Sequence, residues 1–273
     1  MQQAQDFLDE VDNLAALIAD RPEATYDLTT QFKDWTINDV IGHLHMFDVA
    51  AIKALESDQA FENFFAPIVA RQKQGMTLLE TQYPFLGDLR GQALVATWYE
   101  TAQRLGKTFA SADPKQRLRW AGPNMSAKSC ITARQMETWA HGHEVFDCLG
   151  VTRKDADRIK NICHLGVATY SWTFLNRNME VPDMTPYVTL TSPLGALWTW
   201  NDPSDVFVEG DAVEFAQVVT QVRNVEDTCL KISGKAAHLW MKYAQCFAGD
   251  ANLPPAKGTR FKTTENLSDM KSR

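Results

Sequence analysis

Trp35-Thr36-Ile37-Asn38-Asp39-Val40-Ile41-Gly42-His43-Leu44 opens a helix and carries a histidine into it. Thr36, followed three residues later by Asp39, fits a capping box, in which the Thr oxygen and the Asp carboxylate satisfy backbone donors left over in a first turn. The helix is expected to run to about residue 57. His43 shares a stripe with Val40, Phe47 and Ala50 and so lies on an apolar face. His45 points about 200° away. It neighbours Gly42, Asp48 and Val49 and reads as the surface residue of the two.

A second stretch completes the pattern. Glu137-Thr138-Trp139-Ala140-His141 places a carboxylate and an imidazole four residues apart, one above the other on a helix face. Glu137, His141, Val145 and Cys148 form one stripe, with Met136, Trp139, Ala140 and His143 on flanking positions. Polar groups on a core-directed stripe need partners. Two imidazoles and one carboxylate can bind a divalent metal and leave coordination positions open. A Glu-x3-His pair is also common as a plain solvated or hydrogen-bonded pair. His143, His164 and His238 default to surface or satisfied-core positions, and Cys148 lies far down the helix for a ligand.

Around these stretches, residues 2–20 read as an amphipathic helix through Phe7, Val11, Leu14, Ala15 and Ile18. Residues 59–86 read as short helices broken by Pro67, Gly75 and Pro84. Residues 90–112 form a long helix on Leu94, Trp98, Ala102, Leu105 and Phe109. The helix from about Cys130 to Leu149 ends at Gly150. Four long amphipathic segments predict a four-helix bundle over 1–150.

Beyond it the pattern changes. Residues 153–178 look helical; strands are expected at 187–191, 197–200, 205–209 and 228–232, and helices at 211–222 and 235–248. Pro193 and Gly195 mark a turn between the first two strands. The fold class is therefore α+β, a helical bundle followed by a small α+β domain over 151–253 and a polar tail, 254–273, expected to be mobile.

Composition narrows the function. The 273 residues are 45% hydrophobic, enough for a sizeable core, and carry a net charge of -7, which speaks against a nucleic-acid partner. No apolar run is long enough to cross a bilayer. The start lacks the plan of a secretory signal, which points to the cytosol. Five scattered cysteines, with no CxxC pair, argue against a zinc finger or a disulfide framework.

The segment Trp35 to Leu44, followed by Asp48, resembles the second helix of the DinB-like, mycothiol-dependent maleylpyruvate isomerase superfamily. Arg134 to His141, continuing through Asp147, resembles its later metal-binding helix. The resemblance implies a bundle carrying a divalent metal on His43, Glu137 and His141. Residues 213–249 resemble the C-terminal domain of a metal-binding subgroup of uncharacterised function. The isomerase places an essential Arg in that domain, for which Arg223 is the candidate here; a surface Arg is the competing reading. Two departures stand out: Glu144 occupies a position where many relatives carry Asp, and His143 has no counterpart in the pattern.

The expected activity is a metal-dependent isomerase or S-transferase using a low-molecular-weight thiol on a small, anionic electrophile. Zinc is the first choice, and iron, manganese or nickel also fit. The alternatives are a metal-dependent hydrolase using metal-bound water, a non-catalytic metal- or ligand-binding protein, and a triad that only braces the fold. The expected partners are a small-molecule substrate and a second copy in a homodimer, not nucleic acid or a membrane.

Overall fold

The computed structural model describes residues 1–263. The chain divides into two compact units, Met1–Cys148 and the residues from Leu149 onward.

The first unit is built on α1 (Gln2–Ile18), α2 (Ile37–Glu56), α3 (Asp58–Lys73), α4 (Leu78–Leu86), α5 (Gly91–Ala110) and α6 (Ala127–Cys148), with a two-residue antiparallel ladder, β1 (Arg117–Leu118) on β2 (Met125–Ser126), between α5 and α6. The long helices α1, α2, α5 and α6 form the bundle. The expected stripes are its core: Phe7, Val11, Leu14 and Ile18 of α1 and Leu94, Trp98, Ala102, Leu105 and Phe109 of α5 are buried. Each such aliphatic or aromatic side chain contributes about 1.5–3 kcal/mol by leaving water. The helix α2 opens as its sequence predicts. Thr36 Oγ1 accepts from the Asp39 N–H, and Asp39 Oδ2 accepts from the Thr36 N–H, a reciprocal cap.

Two features differ from the sequence reading. Pro67 and Pro84 lie inside α3 and α4 rather than at their ends; the breaks fall at Gly75 and Gly87, whose positive φ suits glycine. And α2 has no free face, because fifteen of its twenty residues are buried. The helices α3 and α4 cover the side that an isolated bundle would leave to water.

The second unit contains α7 (Lys160–Ala168), α8 (Tyr170–Leu175), β3 (Tyr187–Thr191), β4 (Leu197–Trp200), β5 (Phe207–Asp211), α9 (Ala212–Val219), β6 (Lys231–Ser233) and α10 (Lys235–Tyr243). The four strands make one sheet in the order β4-β3-β5-β6. The β3–β4 and β5–β6 pairs are antiparallel, and β3–β5 is parallel. Val188 and Leu190 alternate with half-exposed neighbours along β3, so one face is buried. Asp211 ends β5 and caps α9, accepting from the N–H groups of Val213 and Glu214.

Part of the segment expected as a mobile tail is tied down. Pro255 O accepts from Asn224 Nδ2, the Gly258 N–H donates to Asp227, and Arg260 Nη1 donates to Gln221 O. The rest of that expectation, residues 264–273, lies outside the described residues. Among the described residues no helix is long and apolar enough to cross a membrane.

Candidate metal centre

His43 on α2 and Glu137 and His141 on α6 come together. One ligand atom from each lies within 4.8 Å of the others. Glu137 Oε2 stands 3.6 Å from His43 Nε2 and 3.3 Å from His141 Nε2. Both imidazoles are buried, and the carboxylate is about a quarter exposed.

The protonation states suit ligands. Burial pushes the His43 imidazole down to about 4, against the pull of Glu137, so it is neutral at ordinary pH. Burial alone would raise the Glu137 carboxyl, but its pairing with His141 and His43 outweighs that and holds it below the usual range. The result is an ionised carboxylate facing a neutral imidazole.

Aromatic rings enclose the triad. Trp35 stacks nearly parallel to His141, with centroids 6.1 Å apart and an interplanar angle of 6°. Phe32 meets the same ring edge-on at 5.0 Å. Trp35 also stands 5.4 Å from His43, and Phe47, one turn along the same stripe of α2, lies 4.7 Å from it. Phe32 and Trp35 sit on a tight loop closed by the Thr29–Thr36 bridge and by the Thr30 N–H donating to Trp35 O. Lys33 and Asp34 at its tip both have left-handed φ, 52° and 58°. The sequence reading put Phe47 on the His43 stripe but assigned Phe32 and Trp35 no place at the site; their signal was the density of aromatic residues just before the cap.

A fully buried ion pair lies one turn along. Arg134 Nε of α6 donates to Asp48 Oδ1 of α2 at 2.9 Å, and Arg134 Nη2 donates to Leu44 O at 3.3 Å. Trp98 Nε1 of α5 donates to the other carboxylate oxygen at 3.1 Å.

The remaining sequence candidates resolve as follows. His45 is buried, contrary to its reading as a surface residue: α4 covers it, with Phe85 5.3 Å away, and burial pushes it down to about 4. His143 is buried beside Trp139, at 4.3 Å, and is not part of the triad. Cys148 is not a member either; its Sγ donates to Thr29 O at 3.5 Å. Arg223, in the second unit, is buried, contrary to the surface reading. It donates to Val222 O and lies over the Phe261 ring.

The sequence profile of the mycothiol maleylpyruvate isomerase N-terminal domain matches residues 7–146, which span all three triad residues. The chain belongs to this family. Two uncharacterized proteins of Mycobacterium tuberculosis, from two strains, are each 35% identical over 255 residues, covering 93% of this chain and 96% of theirs. Two crystal structures of the mycothiol-dependent maleylpyruvate isomerase, one of a histidine-to-alanine variant, match with a TM-score of 0.52 at 14% identity. The match covers 80% of this chain and 87% of theirs. At that identity the likeness shows the shared fold, a DinB-like bundle followed by an α+β region.

Proposed function

We propose that this member of the family is a divalent-metal enzyme that directs a low-molecular-weight thiol at a small electrophile, as an isomerase or an S-transferase. The observation that carries the reading is the spacing of the triad. Donors about 2.1 Å from a tetrahedral zinc stand about 3.4 Å apart. The two Glu137–His separations, 3.6 and 3.3 Å, bracket that value, and all three ligand atoms fall within 4.8 Å of one another. Both separations are also long for hydrogen bonds, which for N–H···O cluster near about 2.9 Å. Two imidazole nitrogens and one carboxylate form a borderline donor set that suits zinc first and iron, manganese or nickel next.

His43, Glu137 and His141 would hold the metal, which when bound acts as a Lewis acid that favours thiolate over thiol or polarises a carbonyl. The chain's own residues set the conditions. Ionised Glu137 neutralises one charge of a dication, so the centre keeps net positive charge toward an anion. The rings of Trp35, Phe32 and Phe47 wall the triad with apolar surface, where electrostatic attraction is stronger than in water.

No cysteine of the described residues stands among the triad to supply the thiol. Burial pushes Cys130 up to about 12 and Cys148 up to about 11. A thiolate is the reactive form, so neither of these two cysteines is a ready nucleophile, which favours a thiol that enters from solution. That the solved neighbours are named mycothiol-dependent supports a thiol of this class. All five cysteines are free, which fits work in a reducing cytosol. Arg223 is proposed to meet an anionic substrate.

The test begins with metal content, by mass spectrometry, of protein purified without a chelating tag, beside Glu137→Ala and His141→Ala. The expected result is metal bound by the wild type and lost from both variants. Electrophiles are then offered with and without small thiols. Thiol-dependent turnover that Arg223→Ala weakens through KM supports the whole reading. Turnover without thiol would make the protein a hydrolase, and metal without turnover a binding protein. A folded wild type that takes no metal after reconstitution refutes the proposal.

A further inference from the structure

The ion pair between Asp48 and Arg134 is an unusual thing to bury. Asp48 is 0% and Arg134 2% exposed. Taking both charges out of water costs more than their attraction commonly returns, and buried pairs of this kind can often be replaced by apolar residues without loss of stability. Their best-attested use is to fix the register of one element against another.

The geometry says which register. Arg134 precedes Glu137 by one helical turn on α6. Its guanidinium reaches Asp48, and also the carbonyl of Leu44, the residue next to His43 on α2. The second oxygen of Asp48 takes the indole N–H of Trp98, which ties in α5. The three ligands come from only two helices, so their meeting depends on how α2 sits against α6. A slip of one residue along the axis moves a side chain by about 1.5 Å. That is nearly half the 3.6 Å that separates His43 from Glu137.

We infer that the Asp48–Arg134–Trp98 network positions the metal centre, holding α2 against α6 so that His43 meets Glu137 and His141. This rests on the metal reading above. Arg134 and Asp48 act through the ligands and are positioning residues. Neither is a member of the triad.

The test uses the full chain stripped of metal and titrated with Co2+, read by its visible absorption, with thermal unfolding measured in parallel. The main variant is the apolar pair Asp48→Leu with Arg134→Met, which leaves no buried charge unpaired. It is expected to unfold near the wild-type temperature but to bind Co2+ roughly 10- to 100-fold more weakly, as loss of outer-shell support does elsewhere, with an altered absorption band. A pair that served only stability would shift unfolding and leave the affinity of the folded protein alone. Wild-type affinity and spectrum in the double variant overturn the inference. If the double variant does not fold, Arg134→Lys carries the test: it keeps the charge but replaces the two nitrogens that serve Asp48 and Leu44 with one, and unchanged affinity there is equally fatal. A wild type that binds no Co2+ would instead remove the metal reading itself.

Discussion

Lowering the pH of the metal-free protein should weaken its first unit well before the carboxylates are protonated. His43 and His45 both titrate near 4 in the folded chain, against an ordinary value of 6.5, because burial disfavours the charged ring. Glu137 and His141 face His43, and Arg104 adds repulsion at His45. Above pH 6.5 both rings are neutral whether the chain is folded or not, and they contribute no pH dependence. Below it the unfolded chain takes up two protons that the folded chain refuses, so stability falls as pH drops and levels off near 4. A gap of about 2.5 pH units corresponds to roughly 3 kcal/mol per ring. The slope near pH 5 is then about 2.7 kcal/mol per pH unit for the pair. Glu137 acts in the same direction but in a lower window: its depressed carboxyl contributes stability that is lost only in stronger acid. The assay is urea unfolding with chelator present, repeated between pH 7 and 4.5 and followed by circular dichroism. His45→Leu should remove about half of the slope. Stability that stays flat over this range, or a slope unchanged by that variant, refutes the account of buried neutral rings.

Two further outcomes follow from packing and thiol chemistry. At Gly106 on α5 an added Cβ would come within 2.4 Å of the Leu8 side chain on α1, so Gly106→Ala should destabilise by about 1–3 kcal/mol through overpacking, measured by the same urea titration. Of the cysteines, exposed Cys229 should react first with a thiol reagent in the folded protein, while Cys130, pushed up to about 12, stays silent until unfolding; peptide mapping of partly labelled protein that found Cys130 modified first would contradict this.

Much of this architecture is legible in the chain because helix periodicity and capping are local. The stripes of α1 and α5, the reciprocal cap of Thr36 and Asp39, and the β3–β4 hairpin at Pro193 and Gly195 all depend on neighbours a few residues away. The convergence of His43 with Glu137 and His141 could be expected from their two inward stripes. The burial of His45 could not, because it depends on α3 and α4 folding back over α2, a non-local choice that leaves no period in the sequence. The ladder of β1 and β2 is two residues per strand, too short for alternation to show. Strand limits moved for a related reason. Expected at 205–209, β5 runs Phe207–Asp211, because its register is set by pairing with Tyr187–Thr191. The last helix stops at Tyr243 rather than 248, with Ala244 already extended.

The loop that carries Phe32 and Trp35 against His141 contains two consecutive left-handed residues with side chains, Lys33 and Asp34. An L-residue resists that conformation by about 1–2 kcal/mol. The turn that seats the Trp35 ring on His141 is therefore held by its own backbone bonds, Thr30 N–H to Trp35 O and Trp35 N–H to Phe32 O, at a conformation that glycine at 33 or 34 would adopt without that cost.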